Sequence, residues 1–175
     1  MQAINWILRF VGLAFIIAFQ VLVLNNLELG MYIHPYVYPM FILLLPLNMP
    51  RWLLLPLAFL TGLIVDMFNN TPGMHASASV VIAFLRPSIL NLLTPPTGYE
   101  AVESPNIRYL GVTWYTIFVL IMIFIHHIVY FFVEMMSFKN FGYTGLKIVL
   151  SGIISALLIL ILTFLFTSRK ERNRS

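Results

Sequence analysis

Long apolar runs alternate along this chain with short breaks that contain polar residues, proline or glycine. A run of about 20 apolar residues crosses the hydrocarbon layer as a helix, because a helix satisfies its own backbone hydrogen bonds. The pattern therefore predicts an all-α integral membrane protein with six transmembrane helices. These spans are expected at about 6–24, 36–47, 52–68, 74–93, 112–132 and 146–166.

Two of the predicted spans contain prolines that disturb a helix. Three prolines lie within or directly before 36–47, so we expect this span to be short, tilted or partly re-entrant. In the span 74–93, the pair Arg86 and Pro87 is expected to end or kink the helix, with the arginine side chain extended outward to the lipid headgroups. Residues 88–93 would then lie along the membrane interface.

Composition narrows the class of protein further. Of the 175 residues, 61% are hydrophobic and 9% are charged, and none is cysteine. The chain is interpreted as a single polytopic membrane domain over residues 1–175, without a separate catalytic domain outside the bilayer. The lack of cysteine excludes disulfides, thiolate catalysis and cysteine-bound zinc. The longest connection, 94–111, is predicted to be an irregular loop without a nucleotide-binding signature.

The distribution of basic residues predicts the orientation of the chain. Six spans place both termini on one side, and a cytoplasmic location for them puts eight of the 10 basic residues inside, as the positive-inside rule favours. The eight are Arg9, Arg51, Arg86, Arg108, Arg169, Lys170, Arg172 and Arg174. Lys139 and Lys147 fall outside. The basic tail is interpreted as a topology anchor facing anionic lipid, not as a nucleic-acid site.

A carboxylate and a histidine flank the turn between the third and fourth predicted spans. Asp66 closes one apolar run, His75 opens the next, and the sequence NNTPG at 69–73 lies between them. Asparagine tolerates turn geometry and Gly73 accepts a positive φ, so both ionisable residues are expected at the outer edge of one tight hairpin. Three interpretations stay open for the pair: structural pairing or helix capping, contact with a partner or substrate, and catalysis.

A second polar group lies in the fifth predicted span. His126, Tyr130 and Glu134 are spaced by four residues and share one helical face. The ends of this stripe are about 12 Å apart along the axis, so they cannot hold one metal ion without ligands from a second helix. Hydrogen bonding between helices, a contact with another membrane protein, and a proton or substrate path are the alternatives. Ser151 and Ser155 in the sixth span are interpreted as ordinary packing residues.

The stretch FLTGLIVDMFNNTPGMHA, residues 59–76, resembles the signature of the rod shape-determining protein MreD family. That signature has a glycine four residues before a span-ending aspartate, then a short polar turn with a glycine, then a new apolar helix. Gly62, Asp66 and Gly73 occupy these positions, and His75 stands where the family often has a histidine or another basic residue. Segment 39–51 also resembles the second span and cytoplasmic turn of the family.

The resemblance implies a non-enzymatic subunit of the cell-elongation machinery in the bacterial cytoplasmic (inner) membrane. Such a subunit would bind the scaffold MreC and, through it, the elongation transpeptidase and polymerase, with no cofactor and no nucleic acid. Its fold would be similar to the substrate-binding subunit of energy-coupling-factor transporters. Loop 94–111 departs from the family because it is long and rich in proline.

That fold similarity keeps a second class open, a substrate-binding membrane subunit of a vitamin-type transporter. Such a subunit needs a concave outer pocket lined by polar and aromatic groups. Asp66, His75 and the tyrosines within 32–38 would line it. A third class, an intramembrane enzyme, lacks a convincing nucleophile and base.

Overall fold

The computed structural model describes residues 2–27, 29–96, 98–99, 104–135 and 141–169. Within these ranges the secondary structure consists of helices, with no strand. The α-helices are α1 (Gln2–Leu22), α2 (Met40–Leu43), α3 (Arg51–Asn69), α4 (Met74–Leu92), α5 (Ile107–Leu110), α6 (Val112–Met135) and α7 (Phe141–Arg169). Four basic residues of the orientation argument lie outside the described residues: Lys139, Lys170, Arg172 and Arg174.

Five of these helices are long and apolar enough to cross a membrane: α1, α3, α4, α6 and α7. The prediction of an all-helical chain with several membrane spans is confirmed to this extent. The helices α3 and α4 form an antiparallel hairpin, and α6 packs against both α4 and α7. The helix α1 has the smallest buried share of the five, so most of its surface faces outward from the bundle.

The bundle has two distinct ends. We call the end with the turn 70–73 the hairpin end, and the end with Arg9 and Arg86 the arginine end. The helix α1 begins at the arginine end. The helix α7 finishes there too, because its Thr163 lies within hydrogen-bond distance of Tyr115 at the start of α6 (3.1 Å).

The second predicted span is not a continuous helix. Only α2 is helical, and the prediction of a helical span over 36–47 is wrong because closely spaced prolines remove backbone donors and fix their own φ angles. Residues 36–46, which we call the broken segment, nevertheless lie inside the bundle, and Val37 and Ile42 are fully buried. The segment starts beside Gln20 of α1 and ends beside Arg9 of the same helix. It therefore runs antiparallel to α1, from the hairpin end to the arginine end.

Where the chain is extended, side chains of neighbouring helices form hydrogen bonds with its backbone. Non-helical backbone at membrane depth is tolerated only when protein or cavity water satisfies its polar groups. The amides of His34, Tyr36 and Val37 donate to Ser151 Oγ (2.9 Å), Ser155 Oγ (2.8 Å) and Gln20 Oε1 (2.7 Å), and Gln20 Nε2 donates to the Pro35 carbonyl (3.0 Å). Hydroxyl and amide groups from α1 and α7 thus replace the missing helical bonds.

Arg86 bonds the other end of the broken segment. It is 1% exposed, and its guanidinium donates to the carbonyl oxygens of Pro46 (3.2 Å), Leu43 (3.4 Å) and Leu45. The predicted outward extension of this side chain is wrong, because unpaired carbonyls inside the bundle offer it partners. The predicted helix end at Pro87 is also wrong, since α4 continues to Leu92.

The described residues of the connection between α4 and α6 make several defined contacts. It contains the short helix α5, which Asn106 caps by accepting a hydrogen bond from the Arg108 amide (2.8 Å). Ser104 accepts a bond from Arg9 (3.0 Å), and the Trp114 indole donates to the Leu93 carbonyl (2.6 Å). The described part of 94–111 is therefore fastened to the arginine end.

Candidate functional site

A close contact between two backbones organises the α3–α4 hairpin. Ala58, Gly62 and Asp66 are spaced by four residues and lie buried on one face of α3. A Cβ atom at position 62 would lie 2.5 Å from the carbonyl oxygen of His75 and 2.6 Å from the Cα of Ala76. Only glycine fits there, and its absence of a side chain lets the first turn of α4 touch α3.

Asp66, one turn further along α3, caps the start of α4. Its Oδ1 accepts hydrogen bonds from the Thr71 hydroxyl (2.6 Å) and the His75 amide (3.0 Å), and its Oδ2 accepts one from the Ala76 amide (2.9 Å). The first amides of a helix have no partner within the helix and carry a partial positive charge, so a carboxylate stabilises them. Of the three interpretations that the sequence left open for Asp66, this geometry corresponds to helix capping.

The turn itself has the backbone conformations that its sequence predicts. Asn70 has φ 53° and Gly73 has φ 79°, both in the left-handed region, where asparagine and glycine are the least strained residues. The Thr71 amide donates to the Asp66 carbonyl (3.1 Å). Asp66 therefore ends α3 with its backbone and begins α4 with its side chain.

The imidazole of His75 does not take part in that cap. Its Nδ1 lies 3.2 Å from the Tyr38 hydroxyl, and its Nε2 lies 3.1 Å from Asn69 Nδ2. The same Tyr38 hydroxyl hydrogen-bonds Nε2 of His126 on α6. Tyr38 thus joins two groups that the sequence analysis treated separately. The sequence analysis included Tyr38 only among the tyrosines of 32–38 expected to line an outer pocket, and it did not predict this bridging role.

Aromatic rings enclose these hydrogen bonds in what we call the polar core: Tyr36, Tyr38, His75, His126, His127 and Tyr130. The ring centroid of Tyr36 lies 4.8 Å from those of His75 and Tyr130, and His75 and Tyr130 are 4.5 Å apart. Nδ1 of His126 is buried and has no hydrogen-bond partner within the described residues. In the same part of the chain, no three His, Asp or Glu side chains converge as a metal site would require.

Glu134 does not join the polar core. It is 37% exposed and forms an ion pair with Lys147 of α7, with Nζ 3.1 Å from Oε2. The predicted stripe of His126, Tyr130 and Glu134 is therefore divided in depth. Two members are buried among the helices, and the third lies at the hairpin end.

A pocket of about 290 Å³ opens above the polar core at the hairpin end. Its polar walls include Asn25, His34, Tyr36, Asn69, Tyr130 and Glu134. Asp66 and His75 were expected to line such a pocket together with tyrosines, but they lie beneath it, and Tyr36 is the tyrosine of 32–38 that reaches its wall. This pocket and the polar core below it form the candidate functional site.

No protein-family model matches this chain, and searches of curated proteins and of solved structures find no match.

Proposed function

We propose that this chain is a non-enzymatic, MreD-like subunit of the bacterial cell-elongation complex in the cytoplasmic membrane. It binds the scaffold MreC, and through MreC it supports peptidoglycan synthesis and cell shape. The proposal rests on the resemblance of residues 59–76 to the MreD signature. The three signature positions Gly62, Asp66 and Gly73 each have a distinct structural role in one hairpin, namely close approach, capping and a left-handed turn.

The proposed topology has six crossings with both termini in the cytoplasm. The broken segment supplies the sixth crossing, since it runs from the hairpin end to the arginine end inside the bundle. The arginine end faces the cytoplasm in this proposal, as the positive-inside rule favours for Arg9, Arg51 and Arg86. The similarity to the substrate-binding subunit of energy-coupling-factor transporters belongs to the same proposal.

An open apolar groove on α1 is the observation that carries the partner-binding part of the proposal. The groove has a volume of about 410 Å³ and lies between α1 and α3, with Ala14, Ala18, Ile64 and Phe68 among its lining residues. Small residues let helices approach closely in a membrane. A partner with a single membrane span, as MreC has in this family, fits a groove of this kind.

The test is co-purification of MreC with groove variants. Ala18→Phe fills the groove and is expected to reduce MreC recovery at least tenfold at equal expression. Leu157→Phe adds bulk to an exposed position of α7 and should leave recovery unchanged. Equal recovery from both variants would remove the groove as the partner site.

The signature hairpin provides a second test of the same proposal. Asp66→Asn removes the charge and leaves one acceptor oxygen for three donors, whereas Gly73→Val strains a φ of 79°. Both variants should insert in the membrane yet recover less MreC and give rounded cells. Asn70→Gly keeps a left-handed residue and serves as the control. Normal cell shape with Asp66→Asn at equal expression would contradict a role of this hairpin in partner binding.

The pocket at the hairpin end favours one alternative, a substrate-binding transporter subunit. Its volume of about 290 Å³ lies just below the range of about 300–1,000 Å³ typical of sites for drug-sized ligands. A pocket of this size fits a small molecule better than a vitamin. Native mass spectrometry of the purified protein separates the two functions, because a stoichiometric vitamin-sized adduct would support transport and refute the scaffold role.

A further inference from the structure

The pocket at the hairpin end has an asymmetric charge. Among the residues that the structure describes, its lining includes one carboxylate, Glu134, and neither lysine nor arginine. The lining also includes His34, whose pKa lies below the usual 6.5 because burial and the nearby Lys147 lower it more than Glu134 raises it. A histidine with a lowered pKa is neutral at pH 7. Anionic ligands therefore find no counter-charge among the lining residues, whereas a cation finds one.

The remaining lining groups also suit a cation. Tyr36 and Tyr130 are among the lining residues, and aromatic rings attract ammonium groups. The side-chain oxygens of Asn25, Asn69 and Thr71 among the lining residues are hydrogen-bond acceptors. Those of Asn25 and Asn69 already accept one bond each, and an amide oxygen has a second lone pair for a further donor. The carboxylate of Asp66 lies directly behind Thr71, whose hydroxyl it binds at 2.6 Å, and it adds negative potential from below.

Lys147 shows how an ammonium group is held next to this pocket. Its Nζ lies 3.1 Å from Glu134 Oε2, 5.2 Å from the ring centroid of Tyr143 and 5.5 Å from that of Phe131. The protein thus already places one ammonium between this carboxylate and two aromatic rings that are not part of the pocket lining. Lys147 is outside the lining of the pocket, so the space on the inner side of Glu134 remains for a second cation.

We propose that this pocket binds the primary ammonium group of a small molecule or of a lipid headgroup. The pocket lies where α1 and α3 end and where α6 approaches its last turn, which is the level of the headgroups for a bundle of this length. The volume of about 290 Å³ accommodates an aminoalcohol or an aminated headgroup. Glu134 is the counter-ion of the bound ammonium, and it is shared with Lys147.

The first experiment tests whether the charge of the ligand, and not its size, determines binding. Protein in phosphatidylglycerol nanodiscs is titrated by calorimetry with ethanolamine, ethylene glycol and glycolate, three two-carbon probes that differ in charge. Ethanolamine is expected to bind at least tenfold more tightly than the other two. Glu134→Gln should abolish this preference, and Lys147→Gln should strengthen ethanolamine binding because the competing ammonium is removed. Equal binding of the three probes, or an unchanged preference in Glu134→Gln, would overturn the proposal.

The second experiment identifies the source of the ammonium group. In nanodiscs that contain phosphatidylethanolamine, a headgroup ligand would abolish the response to free ethanolamine, and native mass spectrometry would find the lipid retained by the wild type and lost from Glu134→Gln. A free amine as the ligand would titrate equally in both kinds of disc. Absence of both ethanolamine binding and lipid retention refutes the site. Recovery of MreC by Glu134→Gln should stay normal in each case, so this result is independent of the proposed scaffold function.

Discussion

The two ends of the broken segment are held by different chemistry. At the hairpin end, neutral groups of Gln20, Ser151 and Ser155 accept hydrogen bonds from amides in and beside the segment. At the arginine end, Arg86 and Arg9 donate to its carbonyl oxygens. Both sets of side chains come from helices that pack around the segment. The two ends differ in the backbone groups that need partners, which are amides at the hairpin end and carbonyls at the arginine end.

This comparison shows that the type of backbone group left without a helical partner, amide or carbonyl, determines which side chain bonds it. An extended stretch before a helix leaves amides without acceptors, and a hydroxyl or amide oxygen is sufficient for each. The end of α2 leaves several carbonyls close together with a partial negative charge. Arginine suits that end because its planar guanidinium carries five donors and a positive charge that stays fixed.

Replacement of Arg86 should have the largest effect. Arg86→Met keeps most of the side-chain volume but removes the donor of the Leu43 and Leu45 carbonyls, and it leaves the Pro46 carbonyl with only the bond from the Met49 amide (3.4 Å). Each buried unsatisfied group costs about 1–3 kcal/mol. After allowance for the relief of burying a cation, we expect a loss of about 3 kcal/mol in the free energy of unfolding, measured by detergent titration. Arg51→Met changes an exposed arginine at the same end and should cost less than about 1 kcal/mol. Equal losses would mean that the carbonyl contacts of Arg86 add nothing to the stability of the arginine end.

Gly62→Ala tests the hairpin end through its backbone contact. The new Cβ would meet backbone atoms of α4 at 2.5 Å, so the two helices must separate, and overpacking of this kind costs about 1–3 kcal/mol. Gly12→Ala is the matched control, because no atom lies within 4 Å of that Cβ position. Thermal unfolding in detergent should show a marked fall in Tm for the first variant and none for the second.

Gln20→Met probes the neutral contacts directly. The substitution removes one acceptor from the Val37 amide and one donor from the Pro35 carbonyl. Asn25 Oδ1 also loses the donor Gln20 Nε2 (2.9 Å), but Asn25 is exposed. We expect a cost of about 2 kcal/mol, smaller than for Arg86→Met because the bonds of Gln20 are neutral, whereas those of Arg86 come from a charged donor. Asn26→Ala, at an exposed position of the same end, should be near neutral. A larger loss for Gln20→Met than for Arg86→Met would reverse the ranking of the two ends.

Ser151→Ala should have the smallest effect. The His34 amide loses its acceptor and the Tyr32 carbonyl loses a donor (3.2 Å), but both lie near the hairpin end, where water can replace the hydroxyl. Interhelical hydrogen bonds in membranes average about 0.6 kcal/mol, and we expect a loss of that size. Ser155→Ala should cost more, because its Oγ serves the buried Tyr36 amide and also contacts His127 at 3.1 Å. The same unfolding titration measures both, and equal losses would indicate that water reaches Tyr36.

Local sequence was sufficient to predict the long helices and the hairpin turn. Apolar runs determine where a helix spans, and the conformations of Asn70 and Gly73 follow from the residue types themselves. The direction of Arg86 was not predictable in this way. Whether its side chain turns inward depends on carbonyls about 40 residues earlier in the chain, in a segment whose helix breaks.

The polar core illustrates the same limit for the candidate site. His75 and His126 were recognised as unusual in apolar runs, but the residue that joins them, Tyr38, is on a third segment. The serine contacts of that segment span more than a hundred residues of sequence, as the bond from His34 to Ser151 shows. A periodic pattern contains no information about such pairs, so the sequence identified the members of the site without their arrangement.

The position of Ser151 and Ser155 in the last helix constrains the order in which the bundle is assembled during synthesis. The broken segment leaves the ribosome well before α7, which supplies acceptors for the amides of His34 and Tyr36. Lipid cannot satisfy these amides, so we expect the segment to stay in contact with water until α7 has inserted. The chain has no cysteine, and a single cysteine at Val37 would therefore report this directly: it should react with an aqueous thiol reagent in a chain truncated before α7 and be protected in the full chain.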